Sequence, residues 1–144
     1  MKSSPEMRQI ITELCQKYSF SLDKVGTYLK LEMESYMPLV IEKIGPNSVA
    51  VAHYYYQNGD AIADPEIVFL VVGDDWIAAE ISQPNYYSAP VKTDGSKECV
   101  WLCPDQKSQR EQAGIADLAQ LWAENLRSQG WLEAGRLVAT HSGD

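Results

Sequence analysis

Acidic side chains are the most unevenly placed chemistry in this sequence. No Lys or Arg occurs between Lys43 and Lys92, while Asp60, Asp64, Glu66, Asp74, Asp75 and Glu80 all fall there. These six acids give the span −6 of a formal net charge of −8. Carboxylates gathered this way could meet a basic protein surface or imitate a phosphate backbone. The plain alternative is solvation: charged hairpin edges keep soluble sheets from aggregating.

The acids sit beside His53-Tyr54-Tyr55-Tyr56, which runs into Gln57-Asn58-Gly59-Asp60. Tyr is rigid and enriched at interfaces, although the same residues are ordinary strand formers. On a strand, Tyr54 and Tyr56 face one way and His53 and Tyr55 the other. One pair therefore enters the core and the other stays exposed or half-exposed. The expected contact residues are Asp60, Asp64, Glu66, Asp74 and Asp75, with Tyr54, Tyr56 and Trp76.

Other chemistries find less support. Asn58, Asp60, Asp64 and Glu66 do not follow the alternate ligand spacing of a calcium loop. Zinc needs about four Cys or His ligands. Cys15, Cys99, Cys103 and His53 could supply them only by converging, and His141 lies in the tail. There is no Gly-flanked serine elbow and no phosphate-cradling glycine loop. The sequence thus predicts no metal and no cofactor. A carboxylate pair working with His53 is the one enzymatic reading left.

The chain that must position these groups has 144 residues, 45% hydrophobic and 22% charged. That suits one domain, residues 1–144, with a single self-sufficient core. The negative charge argues against nonspecific binding to nucleic acid or anionic membrane. No apolar run reaches the roughly 18 residues of a membrane helix. Met1 to Glu6 leads into a charged amphipathic stretch, with no signal-peptide core. Cys99 and Cys103, read as flanking a strand, would lie roughly 13 Å apart, too far for a disulfide. All three cysteines read as free thiols of a reducing cytoplasm.

Met7, Ile10, Ile11, Leu14, Cys15 and Tyr18 form one helical stripe. Ser3 or Ser4 is the expected cap, with Pro5 in the first turn. Leu29, Leu31 and Met33 alternate with Lys30, Glu32 and Glu34 as a half-buried strand. Further strands are expected over 39–44, 48–56, 66–72, 76–81 and 98–103. Asn58-Gly59 is a strong hairpin signal, Gly73-Asp74-Asp75 a second tight turn, and Pro65 an edge or bulge. Residues 82–97 are turn-rich and read mostly as loop. Ser108 to Glu111 fits a capping box, opening a helix through Ile115, Leu118, Ala119, Trp122 and Leu126 that Gly130 ends. Trp101, Trp122 and Trp131 read as large core or core-edge residues. One short element follows Trp131, and residues 139–144 are expected to fray. The sum is an α+β fold, a mostly antiparallel meander of about five or six strands flanked by an N-terminal and a C-terminal helix. Both helices should cover one sheet face, leaving the other free for a partner.

The stretches Val51 to Asp60, Asp64 to Phe69, Trp76-Ile77 and Leu121 to Trp131 together resemble an uncharacterised small domain of bacterial mobile elements: plasmids, conjugative elements and phages. The resemblance spans roughly residues 28–133 and brings no activity with it. It implies a bacterial cytoplasmic setting and an accessory or host-interaction role. The resulting expectation is a non-enzymatic acidic interaction protein. Its partner would be a host or phage protein with a basic surface, with no direct nucleic-acid or membrane binding. In its sharpest form it is an anti-defence inhibitor of a nuclease or CRISPR-type complex. An immunity-type or structural partner gripping an apolar sheet face is the alternative, and a small carboxylate enzyme is the third reading.

Overall fold

The computed structural model describes residues 1–143. In chain order the elements are α1 (Pro5–Lys17), β1 (Thr27–Glu32), β2 (Leu39–Gly45), β3 (Ser48–Gln57), β4 (Asp60–Val72), β5 (Asp75–Gln83) and β6 (Tyr86–Ser88). Then come β7 (Lys92–Thr93), β8 (Trp101–Leu102), α2 (Gln106–Gln129), α3 (Trp131–Ala134) and β9 (Arg136–Ser142). The main sheet has seven strands in the order β6-β5-β4-β3-β2-β1-β9, and β7 pairs with β8 apart from it. Every pairing is antiparallel, as tight turns between consecutive strands require.

The helices take their places through the stripes already seen in the sequence. Met7, Ile10, Ile11, Leu14 and Cys15 of α1 are buried, with Ile115, Ala119, Trp122 and Leu126 of α2. They meet one sheet face made by Leu29, Leu31, Leu39, Ile41, Val49, Val51, Ile67 and Phe69. Each fully buried large side chain there contributes roughly 1.5–3 kcal/mol. Trp131 is also buried in this core. Both helices therefore lie on the same face. A second, smaller core forms on the other face, where Val91, Trp101 and Cys103 cover Leu70, Ile77 and Ala79.

Several local expectations change. Ser4 occupies the α1 cap position without capping through its side chain. Its N–H instead donates to the Trp76 carbonyl at 2.7 Å, and Ser3 bridges to Ile77, so this segment is held by β5. In α2 the cap is Asp105, whose carboxylate accepts from the Ser108 N–H at 2.7 Å. The helix starts before Ser108, and Glu111 instead accepts from the Ser88 hydroxyl at 3.2 Å. Gly130 does end α2, with φ 90°. The mostly loop stretch 82–97 also carries the short strands β6 and β7, and of 98–103 only Trp101–Leu102 is strand. The expected fraying tail is β9 up to Ser142, paired with β1 from Thr27↔Ser142 to Glu32↔Arg136. Asp144 lies outside the described residues. β6 and β9 together bring the sheet to seven strands.

One buried polar side chain ties the N-terminal segment to both layers. Gln112, on α2, accepts from the Lys2 N–H at 2.7 Å and donates to the Lys2 carbonyl at 2.8 Å and the Ala78 carbonyl at 3.1 Å. All three partners are backbone groups; the Ala78 carbonyl is the buried one that would otherwise lack a partner.

Candidate functional site

Strand β4 decides where the acids go. It was expected to begin after Pro65, but it runs thirteen residues from Asp60. Pro65 is absorbed by a bulge, where Asp64 and Pro65 stand opposite the single residue His53. This is the irregularity that a strand proline requires. The Asn58-Gly59 turn and the Gly73-Asp74 turn therefore sit at opposite ends of β4. At about 3.3 Å per residue they are roughly 40 Å apart. Asp60 lies at one end; Asp74 and Asp75 lie at the other. The six acids that the sequence groups together do not make one patch, because successive turns of a meander alternate between its two ends. Asp74 also stands 3.7 Å from Arg8 of α1.

Between those poles lies the sheet face that the helices leave open. Cross-strand pairing gathers Tyr28, Lys30, Val40, Glu42, Tyr54, Tyr56 and Glu66 on it. Tyr54 and Tyr56 are the outward pair of the tyrosine run, and Tyr56 is 65% exposed. The Tyr54 hydroxyl donates to Glu66 Oε2 at 2.8 Å. Partial burial, then this carboxylate, push the phenol well above its ordinary pKa, so Tyr54 stays a neutral donor. Tyr28 stacks on His141 of β9, with ring centroids 5.9 Å apart. A groove of 270 Å³ runs between Tyr28, Lys30, Val40, Glu42, Tyr54 and Tyr56. Farther along the sheet, the Tyr87 hydroxyl donates to Glu80 at 3.3 Å.

Of the expected contact residues, Tyr54, Tyr56 and Glu66 share this face, and Asp60 pairs with Gln57 at the end of the β3–β4 hairpin. Trp76 does not join them. It is 7% exposed and packs on Phe69 with centroids 5.4 Å apart, because its register opposite Val71 turns it toward the helices. Tyr28 and Glu42 were not singled out from the sequence, and His141 was assigned only to the tail. The signal for Tyr28 was its parity with Lys30 and Glu32, the outward residues of β1.

The arrangement offers rigid amphipathic rings, hydroxyl donors and carboxylate acceptors. Glu42, Glu66 and Glu80 outnumber Lys30. Carboxylates can pair with Lys or Arg side chains, and aromatic rings can add cation–π contact.

His53 points to the opposite side, into the helix-facing core. Its Nδ1 lies 3.1 Å from the Met37 carbonyl and 3.2 Å from the Pro38 carbonyl. Two acceptors there put the proton on Nδ1 and leave Nε2 as the acceptor of a neutral ring. Burial lowers the imidazole pKa; the two carbonyls and the nearby Asp64 oppose that. Among the described residues, no three His, Cys, Asp or Glu side chains gather as metal ligands. Among the described residues no helix is long and apolar enough to cross a membrane, and all three cysteines are free.

Comparison with curated proteins and with solved structures gives no match. The family model described as a domain of unknown function, DUF6908, matches residues 7–132, from within α1 into α3. That span holds most of α1, all of α2 and every strand of the main sheet except β9. The chain thus belongs to the DUF6908 family.

Proposed function

We propose that the chain is a non-enzymatic interaction protein that binds a basic protein surface through the open face of its sheet. One observation carries this reading: the helices cover one face, and the other presents Tyr28, Tyr54 and Tyr56 among Glu42 and Glu66. Tyr supplies contact area at low entropy cost, and the carboxylates select a cationic partner. The acids at the two ends of β4, Asp60 at one and Asp74 and Asp75 at the other, add long-range attraction that speeds the encounter and makes it salt-sensitive. The resemblance to mobile-element domains supports a bacterial host protein as the partner, met in the cytoplasm. A defence nuclease or CRISPR-type complex, whose nucleic-acid groove is basic, is the sharpest form of the proposal.

The test compares three immobilised proteins in bacterial lysate at low and high salt. One is unmodified. The second carries Tyr56→Ala, Glu42→Gln and Glu66→Gln on the open face. The third carries Asp60→Asn, Asp74→Asn and Asp75→Asn at the turns. The unmodified protein should retain a partner at low salt. The open-face variant should lose it, and the turn variant should bind more slowly with a weaker salt dependence. Equal retention by the open-face variant would refute the proposal.

A further inference from the structure

We propose that the cleft between the C-terminal half of α1 and the sheet binds a small zwitterion with an apolar side group, the chemistry of a free α-amino acid such as leucine or phenylalanine. This goes beyond the open-face reading and concerns the opposite side of the sheet. The cleft has a volume of 320 Å³. That is near the lower end of the roughly 300–1,000 Å³ range of ligand pockets, and so suits one such molecule.

Two features select the ligand. The first is the apolar wall, made by Ile11, Phe20, Leu22, Val49, Val71 and Trp76. These come from α1, the loop after it and three strands. The Phe20 N–H donates to the Cys15 carbonyl at 2.8 Å, which turns the chain back at the end of the helix and sets Phe20 and Leu22 on the cleft. Such a wall takes an aliphatic or aromatic group. The second feature is charge. Among the described residues, Asp23 and Lys43 are the two charged side chains that line the cleft, one of each sign. Lys43 lies opposite Val49 in the β2–β3 pairing, so it stands on the helix side of the sheet, where it is half-buried. The Gly26 N–H donates to the Lys43 carbonyl at 2.8 Å, and this ties the loop that carries Asp23 to the same strand. Neither side chain is in an ion pair among the described residues. A half-buried cation gains from a counter-charge. A ligand carboxylate can meet Lys43, whose flexible stem lets the ammonium follow it, and a ligand ammonium can meet Asp23. A simple acid would leave Asp23 unpaired beside its own negative head, and a simple amine would do the same to Lys43. A zwitterion pairs with both.

The experiment titrates the full chain with L-leucine, L-phenylalanine, 3-phenylpropionate, phenethylamine and toluene. Binding is followed by the methyl signals of Ile, Leu and Val in ¹H–¹³C spectra and by the indole N–H signals in ¹H–¹⁵N spectra. At least one of the two amino acids should bind saturably and move the signals of Ile11, Leu22, Val71 and Trp76. The three analogues, each lacking one charge or both, should bind more weakly. Lys43→Met should weaken amino-acid binding about tenfold, the size of one charge-assisted contact. Asp23 is exposed, so Asp23→Asn keeps the fold; it should weaken binding about threefold, because solvent screens that pair. Lys24→Met, at an exposed lysine outside the cleft, should leave binding unchanged. No saturable shift with either amino acid overturns the proposal. So does any of the three analogues binding as tightly as the amino acid, or Lys43→Met and Asp23→Asn both binding it like the parent.

Discussion

Gln112 gives the most direct test of how the layers are held. Gln112→Leu keeps the side chain's bulk and removes its three hydrogen bonds to Lys2 and Ala78. At a net 0.5–1.5 kcal/mol each, the three contribute about 3 kcal/mol. Two of them hold Lys2, and its release returns about 1–2 kcal/mol of backbone entropy. The variant should therefore lose about 1–2 kcal/mol. Urea denaturation reads this as a lower midpoint with an unchanged slope. Deleting Met1 and Lys2 from both parent and variant completes a double-mutant cycle. The deletion should destabilise the parent. In the Gln112→Leu background it should cost less, because the hydrogen bonds from Gln112 to Lys2 are already gone and the exposed ion pair of Lys2 with Asp117 adds little. Two additive losses, or a Gln112→Leu effect under about 0.5 kcal/mol, would show that Gln112 is not the tie.

Three further outcomes follow from particular residues. His53 has a depressed pKa in the fold, so the unfolded chain takes up its proton first; stability from this group is complete above the ordinary value of 6.5 and falls as pH drops below it. Denaturation midpoints between pH 8 and 5 should show the decline, and His53→Gln should lack that part of it. An added Cβ at Gly135 would stand 2.6 Å from the Trp131 carbonyl oxygen, so Gly135→Ala should cost about 1–3 kcal/mol, read as a lower thermal midpoint. Burial pushes the Cys15 thiol up to about 11, while Cys99 is exposed; iodoacetamide at pH 8 followed by peptide mass spectrometry should find Cys99 alkylated first and Cys15 last, with equal rates counting against this packing.

Much of the fold was legible because periodicity reports burial directly. The α1 stripe, the Asn58-Gly59 turn and the Gly130 stop each rest on local physics and hold in place. The site was less legible. Tyr54, Tyr56 and His53 share a strand, and alternation separates them without saying which side is the core. That choice is made by α2 and α3, whose Trp122 and Trp131 flank the imidazole. The acids misled for a related reason. Asp60 and Asp74 are close in sequence, yet an extended strand through Pro65 carries them to opposite ends of the sheet. The terminal β9 was hidden because its partner, β1, lies at the far end of the sequence. An edge strand with one neighbour carries little hydrophobic signal of its own.

The pairing of β1 with β9 has a consequence for how the protein is made. Synthesis runs from β1 toward β9, so every other element of the sheet leaves the ribosome before β1 gains its second neighbour. Without β9, β1 is the edge of the sheet, and an unpaired edge can template pairing with other chains. The closing contact, Thr27 with Ser142, joins residues distant in sequence, and such contacts form slowly. Nascent chains released before residue 136 would keep that border open, and aggregation should rise sharply as stop codons move upstream across β9.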